Sequence, residues 1–497
     1  MLPPSKHRLY AALLNFALLM LPLLFLEFPP STDLPLHLVQ IQMFFETLSD
    51  PSVPYEINWG SPYALSYLAP AIGLYTFPIE FAARVSLILL ALFWTAGLHA
   101  FAARFRRPAW NAFLASFFFY NHLLYSGFYP FLFGWPLFLF WTILLPEGSL
   151  RTLRPGKLAL VAIHGLLLYY THLYWSAAGL IWLALNTPLR EGWTTRLKRS
   201  LIALALLAPL LQWLWTSQAV AGENTFLAGS GFTERIFSPW VLNFALGGLK
   251  GNAETVFLAL ASSWILFGLW QNRSSFRKSS HVRSLLLAGL FLAFALFLPE
   301  ANAGSLYFAS RWLPLALILF IIALPSPRLS DKTALLLLAP LLLAFVLYTT
   351  ERWKRYESRE LQGLKEALRA LPVQSRVFGL TYLRASRYIK GYPFAQYFAY
   401  ARAYRQGRLN ASFTDIGFTL VNYKKSYRRP WFGGLPRHPD QIKARDFKRY
   451  DFALIGAPEV VHAQMKVKRP YLQAATQTGQ WRLYRVIRPG KDVPAPK

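Results

Sequence analysis

The chain of 497 residues is 55% hydrophobic and 16% aromatic, a more apolar make-up than a fully water-exposed surface tolerates, and its formal net charge is +29. It contains no cysteine, which excludes disulfide frameworks, cysteine-ligated zinc and thiol nucleophiles. The basic excess lies beside apolar segments and in the tail, so the expected partners are a membrane and anionic phosphate groups, with no nucleic acid.

Apolar runs of about 17 to 25 residues match the thickness of a bilayer core, where only a helix satisfies every backbone group within its own segment. The first run, Leu9 to Phe28, follows Lys6, His7 and Arg8. It is long for a secretory signal and no small-residue cleavage site follows it, so it reads as a retained span. The stretch from Glu27 to Glu80 has no Lys or Arg and is expected outside. Within it, Tyr63 to Phe77 reads either as a further span or as an interfacial segment. Phe81 to His99 returns to Arg104, Arg106 and Arg107. Ala109 to Ser126 and Phe131 to Leu145 form a pair ending at Arg151, Arg154 and Lys157. Leu158 to Tyr174 and Ala177 to Leu185 form the next pair. Leu201 to Trp215 then exits into a long external loop, 218–253. Val256 to Trp270, Leu285 to Leu298, Tyr307 to Leu324 and Thr333 to Thr349 complete the series, with basic residues on alternate loops. The fold class expected is an α-helical polytopic membrane protein with about eleven transmembrane helices over residues 1–350, followed by a C-terminal soluble mixed α/β domain over 351–497. The expected location is an inner (cytoplasmic) membrane, with the N-terminus cytoplasmic and the C-terminal domain extracytoplasmic.

In that tail a helical pattern covers Glu357 to Leu371, whereas Arg376 to Tyr382, Asp451 to Ile455 and Trp481 to Val486 have strand character. Tyr423 to Arg449, rich in Arg, Lys, Pro and Gly, reads as a long loop or flap.

The first external loop, 29–80, opens Pro29-Pro30-Ser31-Thr32-Asp33-Leu34-Pro35-Leu36-His37-Leu38. Its prolines break the first span and allow a helix to restart. Asp33 and His37, four positions apart, can then lie on neighbouring turns as a carboxylate and imidazole able to accept a proton from an acceptor hydroxyl or amine. The alternative is that Asp33 is only a helix cap and His37 only an interfacial side chain. Arg311 is expected about one turn inside an apolar span, where a charge is costly and a guanidinium either clamps a phosphate or snorkels to headgroups. Glu300, in the short loop before it, is a further substrate-binding candidate, the plain alternative being that it only pairs with Arg311. His172 ends an aromatic run and Asn121 and His122 end another, places where packing at an interface is the plain alternative to substrate contact. Glu234 lies in the long external loop, a candidate lid. No spacing such as HExxH points to a metal site, and no phosphate-binding loop points to a nucleotide.

Taken together, a first span followed by an acidic external loop, many further spans, a long external loop and a C-terminal soluble domain resemble the GT-C superfamily of membrane glycosyltransferases. The segments Asp33-Leu34-Pro35-Leu36-His37 and Gly127-Phe128-Tyr129-Pro130-Phe131-Leu132-Phe133-Gly134 look like signatures of an uncharacterised bacterial-type branch. Asp33 is followed by Leu34 rather than a second acid, and the tail has no Trp-Trp-Asp motif, unlike oligosaccharyltransferases and protein mannosyltransferases. The resemblance implies a polyprenyl phosphate-linked sugar donor and an extracytoplasmic acceptor that is a glycan, lipid or protein. It implies Asp33 as catalytic base or metal ligand and Arg311 at the donor phosphate, and with Asp33 as base His37 is expected to assist. No cofactor is expected, and divalent-metal dependence stays open. Two other functions remain: a transporter or flippase for an anionic lipid or solute, and a noncatalytic envelope assembly protein.

Overall fold

The computed structural model describes residues 6–146, 148–187, 192–217, 232–237, 240–276, 281–302, 305–415, 417, 419–426 and 442–487. It is 67% helical, with a small sheet region towards the C-terminus. Among the described residues five helices are long and apolar enough to cross a membrane: Lys6–Phe25, Ile79–Arg104, Trp193–Trp215, Ala253–Gln271 and Asp331–Glu360. Shorter apolar helices accompany them. The outward faces of the long helices are left bare, as in Trp193–Trp215, where Leu204 and Leu211 are 60% and 61% exposed. Such uncovered stripes are compatible with lipid as the surrounding solvent and would aggregate in water.

The first apolar run forms α1 (Lys6–Met20) and a 3-10 turn, Leu21–Phe25. The chain restarts at α2 (Leu34–Ser49), with Pro35 in its first turn, where a missing N–H costs nothing. Tyr63 to Phe77 is not among the five helices long and apolar enough to cross a membrane. It holds a 3-10 turn and the nine-residue α3 (Leu68–Thr76), roughly 14 Å long against a hydrocarbon core of about 30 Å. After α4 (Ile79–Arg104) the expected helix Ala109 to Ser126 divides into α5 (Ala109–Ser116), a 3-10 turn and α6 (His122–Ser126). The break falls at Asn121, whose backbone is extended and whose side chain takes over the start of α6. Next come α7 (Tyr129–Leu144), α8 (Pro155–Thr171), α9 (Leu173–Leu185) and α10 (Trp193–Ser217). Of the loop 218–253, residues 218–231 and 238–239 lie outside the described residues, and the rest contains α11 (Phe232–Phe237) and α12 (Trp240–Ala245). The series ends with α13 (Ala253–Gln271), α14 (Val282–Phe297), α15 (Trp312–Ala323) and α16 (Asp331–Glu360).

The basic loops gather at one end of this bundle. Arg8 donates to the Arg107 carbonyl at 3.0 Å, and Arg107 donates to the carbonyls of Ile322, at 2.7 Å, and Leu324. Those carbonyls close α15, where a cation meets the negative end of the helix dipole. At the other end of α4, about 39 Å away along a 26-residue helix, the first loop meets the C-terminal part of the chain. There β1 (Tyr55–Ile57) pairs antiparallel with a strand at Val421–Tyr423 in the register Tyr55↔Tyr423, Glu56↔Asn422 and Ile57↔Val421. Gln40 on α2 donates to the Thr414 hydroxyl at 2.9 Å and accepts from the Val421 N–H at 2.9 Å. Ion pairs Glu46–Arg402 and Glu27–Lys365 add to the join.

The expected boundary at 350–351 falls inside α16, which carries Trp353 and Tyr356 into the interior beyond it. The helical pattern Glu357 to Leu371 splits at Gly363, whose φ of +86° ends one helix before α17 (Leu364–Ala370) begins. The mixed sheet consists of β2 (Arg376–Thr381), β3 (Arg408–Leu409), β5 (Phe452–Gly456), β6 (Leu472–Ala474) and β7 (Trp481–Val486), with the Val421–Tyr423 strand numbered β4. The strand order is β3-β2-β5-β7-β6, with β2 parallel to β3 and β5 and the remaining pairs antiparallel. Side chains alternate between its faces as the two-residue period requires. Phe378, Leu380, Ile455 and Tyr484 build a core on one face, while Val377, Leu454, Trp481 and Leu483 join the core of the helical body. Of the expected flap Tyr423 to Arg449, residues 427–441 lie outside the described residues.

The buried Gln40 amide makes this join testable. Replacing it, as Gln40→Leu, strands the Val421 N–H and costs about 1–3 kcal/mol. The expected outcome is a lower thermal midpoint in detergent and earlier proteolytic cutting between β4 and the helical body than in the unmodified protein.

Candidate functional site

Asp33 precedes α2 and is half-buried, and its carboxylate makes no capping hydrogen bond to the helix. The residue thus occupies the cap position without capping through its side chain, and its backbone is fixed by packing. Thr32 N–H donates to the Tyr125 carbonyl at 2.9 Å, and the Ser31 hydroxyl donates to the Leu124 carbonyl at 2.8 Å. Gly127 then passes so close that a Cβ on it would lie 2.4 Å from the Asp33 nitrogen. Its φ of +84°, which closes α6, also favours glycine. Thus the first glycine of the Gly127–Gly134 segment seats Asp33. The second, Gly134, lies against Trp175, whose indole N–H donates to the Phe131 carbonyl at 2.8 Å.

His37 is buried beneath this contact. Its Nε2 lies 3.1 Å from the Gly127 carbonyl and its Nδ1 lies 3.2 Å from the Tyr67 hydroxyl. A carbonyl only accepts, so the proton resides on Nε2 and Nδ1 accepts from Tyr67. Burial lowers the His37 pKa to about 4, against the opposing effect of the Gly127 bond. The ring is therefore neutral and acts on Asp33 through the Gly127 turn, rather than as the exposed interfacial group that its position suggested.

Arg311 is the residue before α15, not a member of its first internal turn, and it is buried. Its guanidinium stacks over Phe128 with Cζ 4.1 Å from the ring centroid, donates to the Leu306 carbonyl at 2.7 Å and lies 3.4 Å from His172 Nε2. His172 begins α9, with Nδ1 accepting from the Tyr174 N–H at 3.3 Å. A neutral imidazole has one accepting nitrogen, so it cannot serve both Tyr174 and Arg311. The two contacts compete for that one lone pair, and because a guanidinium only donates, the Arg311 contact is one in which Nε2 accepts. Glu300 receives the Ser310 hydroxyl at 3.0 Å and the Ser310 N–H at 3.4 Å, which fixes the turn into Arg311. The charges of Asp33 and Glu300 both act on Arg311.

The remaining candidates divide. His122 is buried against Tyr307, and its ring nitrogens have no hydrogen bond of good geometry although the Phe244 carbonyl is near. Asn121 is spent on structure: its oxygen accepts from the Leu123 N–H at 2.9 Å and its amide donates to the Phe118 carbonyl at 2.6 Å. It sets the turn and is fully buried, in place of the expected substrate contact. Glu234 stands exposed on α11, whose Arg235 docks on the end of α14 through the Ala295 and Leu298 carbonyls, and is not one of the groups gathered around Phe128. Tyr63, Tyr67, Tyr307 and Tyr392 also belong to the cluster. Tyr63 is half-buried beside His172, and Tyr67 is buried beside His37. No charge pattern marks these four in the sequence. Among the described residues no group of three or more His, Cys, Asp or Glu side chains is gathered as a metal site.

In comparisons with protein-family models, curated proteins and solved structures, none matches this chain.

Two outcomes follow from the geometry. Gly127→Ala places a methyl group into the Asp33 backbone at a positive φ. The left-handed conformation alone costs roughly 1–2 kcal/mol in a non-glycine residue, so a clear fall in the thermal midpoint is expected, whereas Gly148→Ala, with open space around its Cβ position, bears only the conformational cost. The neutral burial of His37 gives a pH dependence. The unfolded chain binds the extra proton between pH about 4 and 6.5 and the folded chain does not, so stability is complete above that window and falls as pH drops through it. The size is on the order of 3 kcal/mol. His37→Gln, which retains one donor and one acceptor, is expected to flatten denaturation midpoints measured across that range.

Proposed function

We propose that this chain is an integral membrane glycosyltransferase of the GT-C type, transferring a sugar from a polyprenyl phosphate to an acceptor on the extracytoplasmic side, with its N-terminus cytoplasmic. The observation that carries the reading is the meeting of a half-buried carboxylate and a buried guanidinium on one turn, Gly127–Phe128. They arise from segments 278 positions apart, Asp33 and Arg311, at the end of the bundle opposite the Arg8 and Arg107 cluster. In the proposed step the acceptor hydroxyl or amine attacks the anomeric carbon while its proton passes to Asp33. The bond from that carbon to the phosphate oxygen breaks, and the polyprenyl phosphate leaves with the bonding pair. Arg311 receives the negative charge that develops on it, in surroundings where aromatic rings exclude water and strengthen the interaction. His37 is a positioning residue here, because both its nitrogens are engaged by Tyr67 and Gly127.

The test is release of undecaprenyl phosphate from undecaprenyl phosphate hexoses by the purified protein in nanodiscs supplied with envelope extract as acceptor. Asp33→Asn is expected to lower the rate by about 10²-fold or more, with donor affinity largely kept, whereas Arg311→Met is expected to weaken donor binding as well. Undiminished turnover by Asp33→Asn would remove the base and the proposal with it.

A further inference from the structure

Two tyrosines from different parts of the chain adjoin the turn around Asp33, Tyr307 through Phe128 and Tyr392 through its backbone beside Thr32, and both are presented by unusual backbone. Tyr307, in the turn before Arg311, has a φ of +55°, a conformation that a side chain of this size adopts only when its surroundings hold it there. Its half-buried ring is set against Phe128, Phe244 and His122 with centroids 5.8 to 5.9 Å apart. Tyr392 lies on the crossover from β2 to β3. It follows Gly391, whose φ is +76°, and precedes Pro393, which confines it to an extended backbone. The hydroxyl of Thr32, next to Asp33, shares its proton between the Tyr125 carbonyl at 3.0 Å and the Tyr392 carbonyl at 3.3 Å. The Tyr392 side chain is nevertheless 68% exposed. The Tyr307 hydroxyl lies within electrostatic reach of Tyr392, Glu300 and Asp33 together.

We propose that Tyr307 and Tyr392 form a pyranose-binding subsite over Asp33, so that the C-terminal domain supplies part of the sugar recognition. This rests on the glycosyl-transfer reading above. A pyranose has a C–H face that packs on an aromatic ring and a rim of hydroxyls that donate to carboxylates and exchange hydrogen bonds with phenols. Here the exposed ring is Tyr392, the phenol held in the turn is Tyr307, and the acceptors are Asp33 and Glu300. A phosphate headgroup does not fit the same place, since two carboxylates repel it. The anion belongs on the other side of the turn, with Arg311. Opposite charge preferences thus adjoin at Phe128, as a sugar phosphate requires.

The test compares two probes, undecaprenyl phosphate and undecaprenyl phosphate hexoses (glucose, galactose and mannose forms), bound to the full-length protein in nanodiscs and followed by native mass spectrometry. Unmodified protein is expected to hold at least one hexosyl form more tightly than undecaprenyl phosphate. Tyr392→Ala is expected to weaken that hexosyl form about tenfold, the scale of one good aromatic contact, and to leave undecaprenyl phosphate unchanged. Tyr392→Phe keeps the ring and most of the affinity, and Tyr307→Phe loses about threefold with the hydroxyl. If the tyrosine variants match the unmodified protein, or weaken both probes equally, the subsite is refuted while the catalytic reading stands. Binding of neither probe by the unmodified protein would overturn the catalytic reading and the subsite together.

Discussion

The candidate site depends on a hydrogen atom where other residues carry a Cβ. At Gly127 the chain closes α6 in a left-handed conformation and at the same residue meets the backbone of Asp33 at a distance that no side chain permits. The Gly127 carbonyl accepts from His37 one turn into α2, while the next residue, Phe128, forms the floor under Arg311. One turn therefore sets the height of the carboxylate, the register of α2 and the plane of the guanidinium. A small displacement there is transmitted to all three, because close-packed interiors have little slack.

The rest of the architecture holds that turn against a long first loop. Segments from the start and the end of the chain are interleaved: α2 packs beside the helix Tyr400–Arg405, β1 pairs with β4, and the Tyr397 hydroxyl donates to the Pro29 carbonyl at 2.8 Å. One face of the C-terminal sheet shares its core with the helical body, so the tail completes the fold instead of hanging from it. The cost is a set of contacts between residues more than 300 positions apart, such as Gln40 with Thr414, whose loop-closure entropy must be offset by buried hydrogen bonds and ion pairs. The benefit is that the crossover carrying Tyr392 is tied to Thr32, beside Asp33, by a direct hydrogen bond.

Hydropathy and loop charge expose much of this in the sequence, because the bilayer imposes long apolar helices and retains Lys and Arg at one end. The strands at Arg376, Phe452 and Trp481 also stand out, as short runs of apolar, β-branched or aromatic residues, because the sheet is covered on both faces by different cores. Helix division is harder to see. Ala109 to Ser126 reads as one span because nothing in hydropathy distinguishes a 3-10 turn of Phe117–Tyr120 from an α-helix, and only the capping chemistry of Asn121 does. At the site, Asp33 and Arg311 draw attention as rare charges beside apolar runs. Tyr307 and Tyr392 do not, since tyrosine is common at interfaces and a positive φ leaves no trace in composition. Gly391-Tyr392-Pro393 is the one local signal, a glycine and a proline that together fix the residue between them.

The meaning of Arg311 also changes once its place is known. Inside a span it would be a charge that the helix must hide. Before the first residue of α15 it adds to a helix terminus that is already electropositive, because the first N–H groups there lack intrahelical acceptors. Aromatic rings and the Leu306 carbonyl sheathe the guanidinium, and a guanidinium, being weakly hydrated and always charged, tolerates that sheath better than an ammonium would. His172 Nε2, 3.4 Å away, orients one edge of the guanidinium. Helix terminus and cation thus favour the same kind of occupant, an oxyanion. The carboxylates of Asp33 and Glu300, whose charges act on Arg311, moderate the positive potential there.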